Sequence, residues 1–196
     1  MIPLFMGITG FILYFLYDIN SFRWNSRVIR TFFALGSLLI GLATIIDLLK
    51  AWKLEAFHNL LDIVLLLFAV LSFVALIYCL FFALPFEKTY VEQENGRKVY
   101  DCGVYALCRH PGVLCFALMY VFLGLAALPT NLLIHGIVWS ILNLLYAWFQ
   151  DRVTFPITFC NYKSYQKRIP FLIPTKDSIR LALDSWSNLR NEEDDR

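Results

Sequence analysis

Long uncharged runs separated by short polar connectors dominate the chain, and they predict helices of bilayer length rather than the alternation of half-buried strands. Ile2 to Tyr17 is apolar but short for a crossing, which takes about 20 residues; it either crosses with Asp18 and Asn20 at the interface or dips in partway. Arg23, Arg27 and Arg30 fill the connector that follows, and Thr31 to Leu49 is a second span broken only by Asp47. A brief turn with Lys53, Glu55 and His58 leads into a third span, Leu60 to Leu84, with Asp62 near its start. Asp47 and Asp62 should then lie at one depth on neighbouring helices, as interfacial groups balanced by Lys50 and Lys53.

Pro85 to Tyr100 is the longest polar loop, and Asn95-Gly96 within it is a hairpin turn signal. Gly112 to Leu128 reads as a fourth span, Pro129-Thr130-Asn131 as a tight turn, and Leu132 to Phe149 as a fifth. His135, near the turn end of the fifth, is expected at the interface. Two spans joined by so short a turn must be antiparallel, which would bring Arg109 and Asp151 to one membrane face.

Beyond Asp151 the character changes. Tyr162, Lys163, Tyr165, Lys167 and Arg168 interleave rings with cations, and Pro170 and Pro174, four apart, preclude a regular helix between them. Lys176 to Leu189 predicts a moderately amphipathic surface helix, and Glu192 to Asp195 a solvated acidic tail.

Composition sharpens this into a class. Hydrophobic residues make up 59% of the 196 and charged residues 16%, too apolar for a soluble globule. The expected architecture is an all-α integral membrane protein of about five transmembrane helices with a cytoplasmic C-terminal segment. Its regions are the N-terminal spans (1–84), a core (85–175), and a surface helix with its tail (176–196). Placing the N-terminus outside puts Arg23, Arg27, Arg30, Lys88, Arg97, Lys98, Arg109 and the positives from Arg152 onward inside, leaving Lys50 and Lys53 outside. A net charge of +2 without a basic, aromatic-interleaved patch argues against nucleic acid. The five cysteines form no CxxC pair, and the N-terminus lacks the features of a cleaved signal, so it is expected to be mature sequence.

The stretch Gly103 to Pro111, GVYALCRHP, carries the candidate chemistry. Arg109 and His110 stand at the lip of a span, with Pro111 fixing the backbone and Tyr105 four residues before the Arg. Arg109 can snorkel there, yet ionisable groups at membrane depth default to function.

With these pieces assembled, the chain resembles the isoprenylcysteine carboxyl methyltransferase family and the related membrane methyltransferases. The G-x-Y-x-x-x-R-H-P stretch of that family is met by Gly103, Tyr105, Arg109, His110 and Pro111. A span pair, an acidic position at Asp151, tyrosines at Tyr162 and Tyr165, and the steps Ile169-Pro170 and Ile173-Pro174 follow. The likeness covers roughly residues 85 to 175. Gln150 stands at the first acidic position, Asp151 where the family has Glu, Phe159 at its glycine, and Val113 and Cys115 at two further positions.

The resemblance implies S-adenosylmethionine as methyl donor and a membrane-associated acceptor, a carboxylate or amine of a lipidic or hydrophobic substrate. Arg109 and Asp151 would be the catalytic residues; Tyr105, His110, Tyr162 and Tyr165 would bind the cofactor. A carboxylate acceptor needs no general base, whereas an amine would need His110 or Asp151. Two other readings stay open: a reductase of the steroid reductase type, which shares R-H-P, and a non-catalytic membrane protein that retains the fold.

Overall fold

A computed structural model describes residues 1–54, 56–83, 97–128 and 130–194, with side chains through 187. Among these the regular elements are all helices, without a strand. Helix α1 spans Ile2–Phe22; a 3-10 turn, Ile29–Thr31, opens α2, Phe32–Lys53. Helix α3, Leu60–Ile77, widens into a π turn over Tyr78–Phe82. The single turn α4 (Val104–Leu107) precedes α5 (Pro111–Ala126) and α6 (Leu132–Phe149). A second π turn, Gln150–Thr154, continues α6 into α7 (Phe155–Thr158), and α8 (Tyr162–Arg168) and α9 (Lys176–Asp194) follow. The turn signal at Asn95-Gly96 lies outside the described residues.

Among the described residues, four helices are long and apolar enough to cross a membrane: Ile2–Phe22, Ile29–Lys53, Leu60–Phe82 and Leu132–Thr158. The first is longer than its hydrophobic run suggested. Helix α1 continues through Asp18 and Asn20 to 21 residues, about 32 Å at 1.5 Å per residue. By contrast, the expected fourth span is a 16-residue helix, about 24 Å long against a hydrocarbon core of about 30 Å.

The chain divides into two compact units: Met1–Phe73 with Cys115–Thr154, and Val74–Leu114 with Phe155–Arg196. In the first, α1 and α2 pack with their backbones nearly touching. A Cβ built on Gly36 would lie 2.7 Å from the Gly10 carbonyl, so only hydrogen fits there. Around this pair Phe11, Ile40, Met119, Tyr120, Trp139 and Tyr146 form the core.

Several hydroxyls in this unit find partners within it, as apolar surroundings favour. The Thr44 hydroxyl donates to the Ile40 carbonyl at 2.8 Å, so the Tyr120 hydroxyl must be the donor in their 2.6 Å contact. The same reasoning makes Tyr14 the donor to Ser37 at 2.8 Å, since Ser37 donates to the Phe33 carbonyl.

Asp47 does not act with Asp62. It is buried, 2.5 Å from Nδ1 of His135, and Lys50 reaches its other oxygen at 3.1 Å. A carboxylate only accepts, which places the proton on Nδ1. His135 is likewise buried. Asp62 instead caps the start of α3, accepting from the backbone N–H groups of His58 (3.2 Å) and Asn59 (3.0 Å).

Asp18 explains why α1 runs on. It is buried, with side-chain hydrogen bonds to Gln150, Tyr146 and Thr154. Four α-helical steps from Tyr146 to Gln150 overshoot a full turn by about 40°. Four further steps through the wider π turn fall short of one, returning Thr154 to the same face. The π turn thus aligns three neutral groups on one carboxylate, and Thr154 Oγ1 donates to Asp18 at 3.4 Å.

Candidate functional site

The R-H-P stretch belongs to the second unit, and its shape follows from its residues. Gly103 has φ +60°, a conformation that costs glycine nothing, and its N–H donates to Ser185 Oγ at 2.9 Å. One helical turn, α4, follows before Cys108 leaves it with an extended backbone. Pro111 disfavours helix at His110 and itself supplies the fixed φ of a first helical residue, so the chain straightens and then restarts as α5.

A second stretch, about sixty residues later, closes on this turn. The Arg109 N–H donates to the Pro170 carbonyl at 2.9 Å and the His110 N–H to the Phe171 carbonyl at 3.3 Å. Arg109 Nη1 donates to the carbonyls of Gln166 (3.0 Å) and Ile169 (2.6 Å). Those carbonyls end α8, so a half-buried cation sits on the negative end of a helix, where it is favoured by about 0.3–1 kcal/mol. Its guanidinium carbon also lies 5.7 Å from the centre of the Phe171 ring, within cation–π range.

His110 is buried between two rings. Phe155 stacks nearly parallel to it, centroids 5.8 Å apart at 10°, and Phe171 is tilted at 5.0 Å.

Two tyrosines tie the turn down, and a third packs beside them. Tyr165 donates its hydroxyl to the Tyr105 carbonyl at 2.7 Å, and Tyr105 donates its own to the Cys79 carbonyl at 2.8 Å. Tyr162 and Tyr165 are each 2% exposed and pack with Ile169, Val99, Phe155 and Phe159. Burial, with Tyr105 adding to it, raises the Tyr165 phenol well above the ordinary tyrosine value, so it stays a donor at neutral pH. Asn161 Oδ1 accepts from the Val99 N–H at 2.8 Å, and Arg168 pairs with Asp101 at 2.6 Å.

Five sequence-predicted residues, Tyr105, Arg109, His110, Tyr162 and Tyr165, therefore meet in one unit. Asp151 lies in the first unit, buried in the π turn after α6. What residue types could not announce is the part played by main-chain carbonyls of Gln166, Ile169 and Pro170, which carry no side-chain signal. Phe155 and Phe171 were legible only as members of apolar runs.

No protein-family model, curated protein or solved structure matches this chain, so the family likeness stands on the residues that carry it.

Proposed function

We propose that the second unit binds S-adenosylmethionine and that the chain transfers its methyl group to a hydrophobic or lipidic acceptor in the membrane. The observation that carries this reading is the closure of the R-H-P turn on the Tyr162–Phe171 segment by four hydrogen bonds from Arg109 and His110. Two stretches that resemble a methyltransferase signature meet in one place, where a cation and flat rings stand together.

The residues fit the group. The Arg109 charge suits the carboxylate of the methionine moiety, and the ring surface of His110, Phe155 and Phe171 suits a purine. When bound, the donor supplies an electrophilic methyl on a sulfonium. Arg109 fixes orientation, the buried tyrosines keep the turn rigid, and the aromatic cluster excludes water. On the resemblance alone, Asp151 would be the carboxylate of the reaction, and the methyl acceptor a carboxylate or an amine. Five crossings, with Pro111–Ala126 as the short one, put the C-terminus on the cytoplasmic side by the distribution of Lys and Arg.

A non-catalytic role is favoured by one specific feature: the hydrogen bonds of Arg109 Nη1 and the Tyr165 hydroxyl to main-chain carbonyls already serve folding. Calorimetric titration of the detergent-solubilised protein with S-adenosylhomocysteine separates the two. Saturable heat, with thermal stabilisation that a nicotinamide dinucleotide does not give, supports the methyltransferase. Absence of both supports the non-catalytic protein, and stabilisation by the dinucleotide alone would point to a reductase. Arg109→Ala is expected to abolish methyl transfer while the protein still enters membranes; unchanged turnover in that variant removes Arg109 from the site.

A further inference from the structure

Helix α9 turns small residues inward and large apolar ones outward. Ser178 and Ala182 are fully buried, and Ser185 is half-buried and accepts from the Gly103 N–H. Ile179 (43%), Leu183 (57%) and Trp186 (39%) are exposed along one ridge, at spacings of four and three. At about 100° per residue, Lys176 and Arg180 border that ridge directly, while Asp177 and Asp184 lie farther round, on the opposite side of those cations.

We propose that this ridge docks into the surface of the bilayer, with Lys176 and Arg180 on anionic headgroups, and so braces the Gly103 turn against the membrane. Continuity with a lipid-facing element argues for this occupant. Helix α9 packs on α4, and α4 is tied through the Tyr105 hydroxyl to the Cys79 carbonyl. Cys79 lies in the last turns of a candidate span whose Leu80, Phe81 and Phe82 are exposed. The ridge is therefore one short helix away from chain that faces lipid.

Charge order argues the same way. Cations flank the apolar edge, where their stems can lie along it and their heads reach phosphate, and the acids point elsewhere. Trp186 is an interfacial anchor by type, and its indole would be 3.3 Å from a Cβ on Gly103. Lipid contact at the ridge thus bears on the backbone that leads into Arg109 and His110. This inference does not depend on what that site binds.

The test is photo-crosslinking of the full chain in nanodiscs, with p-benzoylphenylalanine replacing Ile179 or Leu183 on the ridge, or Asp184 on the polar side. Discs of phosphatidylcholine alone are compared with discs that include phosphatidylglycerol, and adducts are identified by mass. Lipid adducts are expected from positions 179 and 183 and not from 184, rising with the anionic lipid. Lys176→Gln and Arg180→Gln should each lower the anionic increment, by up to roughly fivefold per cation. Chain-to-chain adducts at 183 would assign the ridge to a second copy instead. Equal labelling at 183 and 184, or no lipid adduct at 183, would overturn the proposal.

Discussion

At the scale of single residues, buried polar groups are where this chain is most exposed to damage. Tyr165 is one. Its raised phenol means that the folded state keeps a proton which the unfolded chain releases above about pH 10. The stability contributed in this way is fully present below that pH and is lost as pH rises through the folded value. Tyr165→Phe is expected to cost about 1 kcal/mol at neutral pH by removing the bond to the Tyr105 carbonyl. It should also flatten the alkaline fall in stability, read by thermal unfolding between neutral and strongly alkaline pH. His135 is another. His135→Leu leaves the Asp47 carboxylate buried with the half-exposed Lys50 as its remaining ion partner among the described residues. A loss of about 1–3 kcal/mol is expected in detergent unfolding, and Asp47→Asn in the same background should recover part of it.

At the scale of elements, approach distance decides what packs. Helices in a bilayer gain little from hydrophobicity and much from close contact, which small residues permit. Gly36→Ala would set a methyl 2.7 Å from the Gly10 carbonyl, a backbone atom that cannot swing aside. Helices α1 and α2 would have to part, at about 1–3 kcal/mol, and the variant should unfold at lower temperature than Gly41→Ala, whose Cβ meets nothing within 4 Å. The π turns belong to this scale too. Without the wider turn at Gln150–Thr154, Thr154 would rotate away from the carboxylate that Tyr146 and Gln150 share.

At the scale of the whole molecule, the proposed orientation rests on charge. Arg23, Arg27, Arg30 and the cations from Arg97 onward belong to one side, and Lys50 and Lys53 to the other, if the chain crosses five times. Cys160 is exposed and offers a native reporter. A membrane-impermeant maleimide is expected to label Cys160 in inverted vesicles and not in right-side-out ones, with Cys160→Ser as the control. Labelling from the outside would reverse the orientation.

The sequence by itself determined the helical, bilayer-length character of the chain, the order of its long helices and the break in helix at Pro111. Hydrophobic run length, prolines and motif spacing are local properties, and they survive folding unchanged. Tertiary structure alone decided that α1 runs through Asp18, that Asp47 pairs with His135, and that main-chain carbonyls hold Arg109. Each of those depends on which buried donor finds which acceptor across distant parts of the chain. A lone Asp in an apolar stretch reads the same whether it meets water at an interface or a histidine eighty-eight residues away.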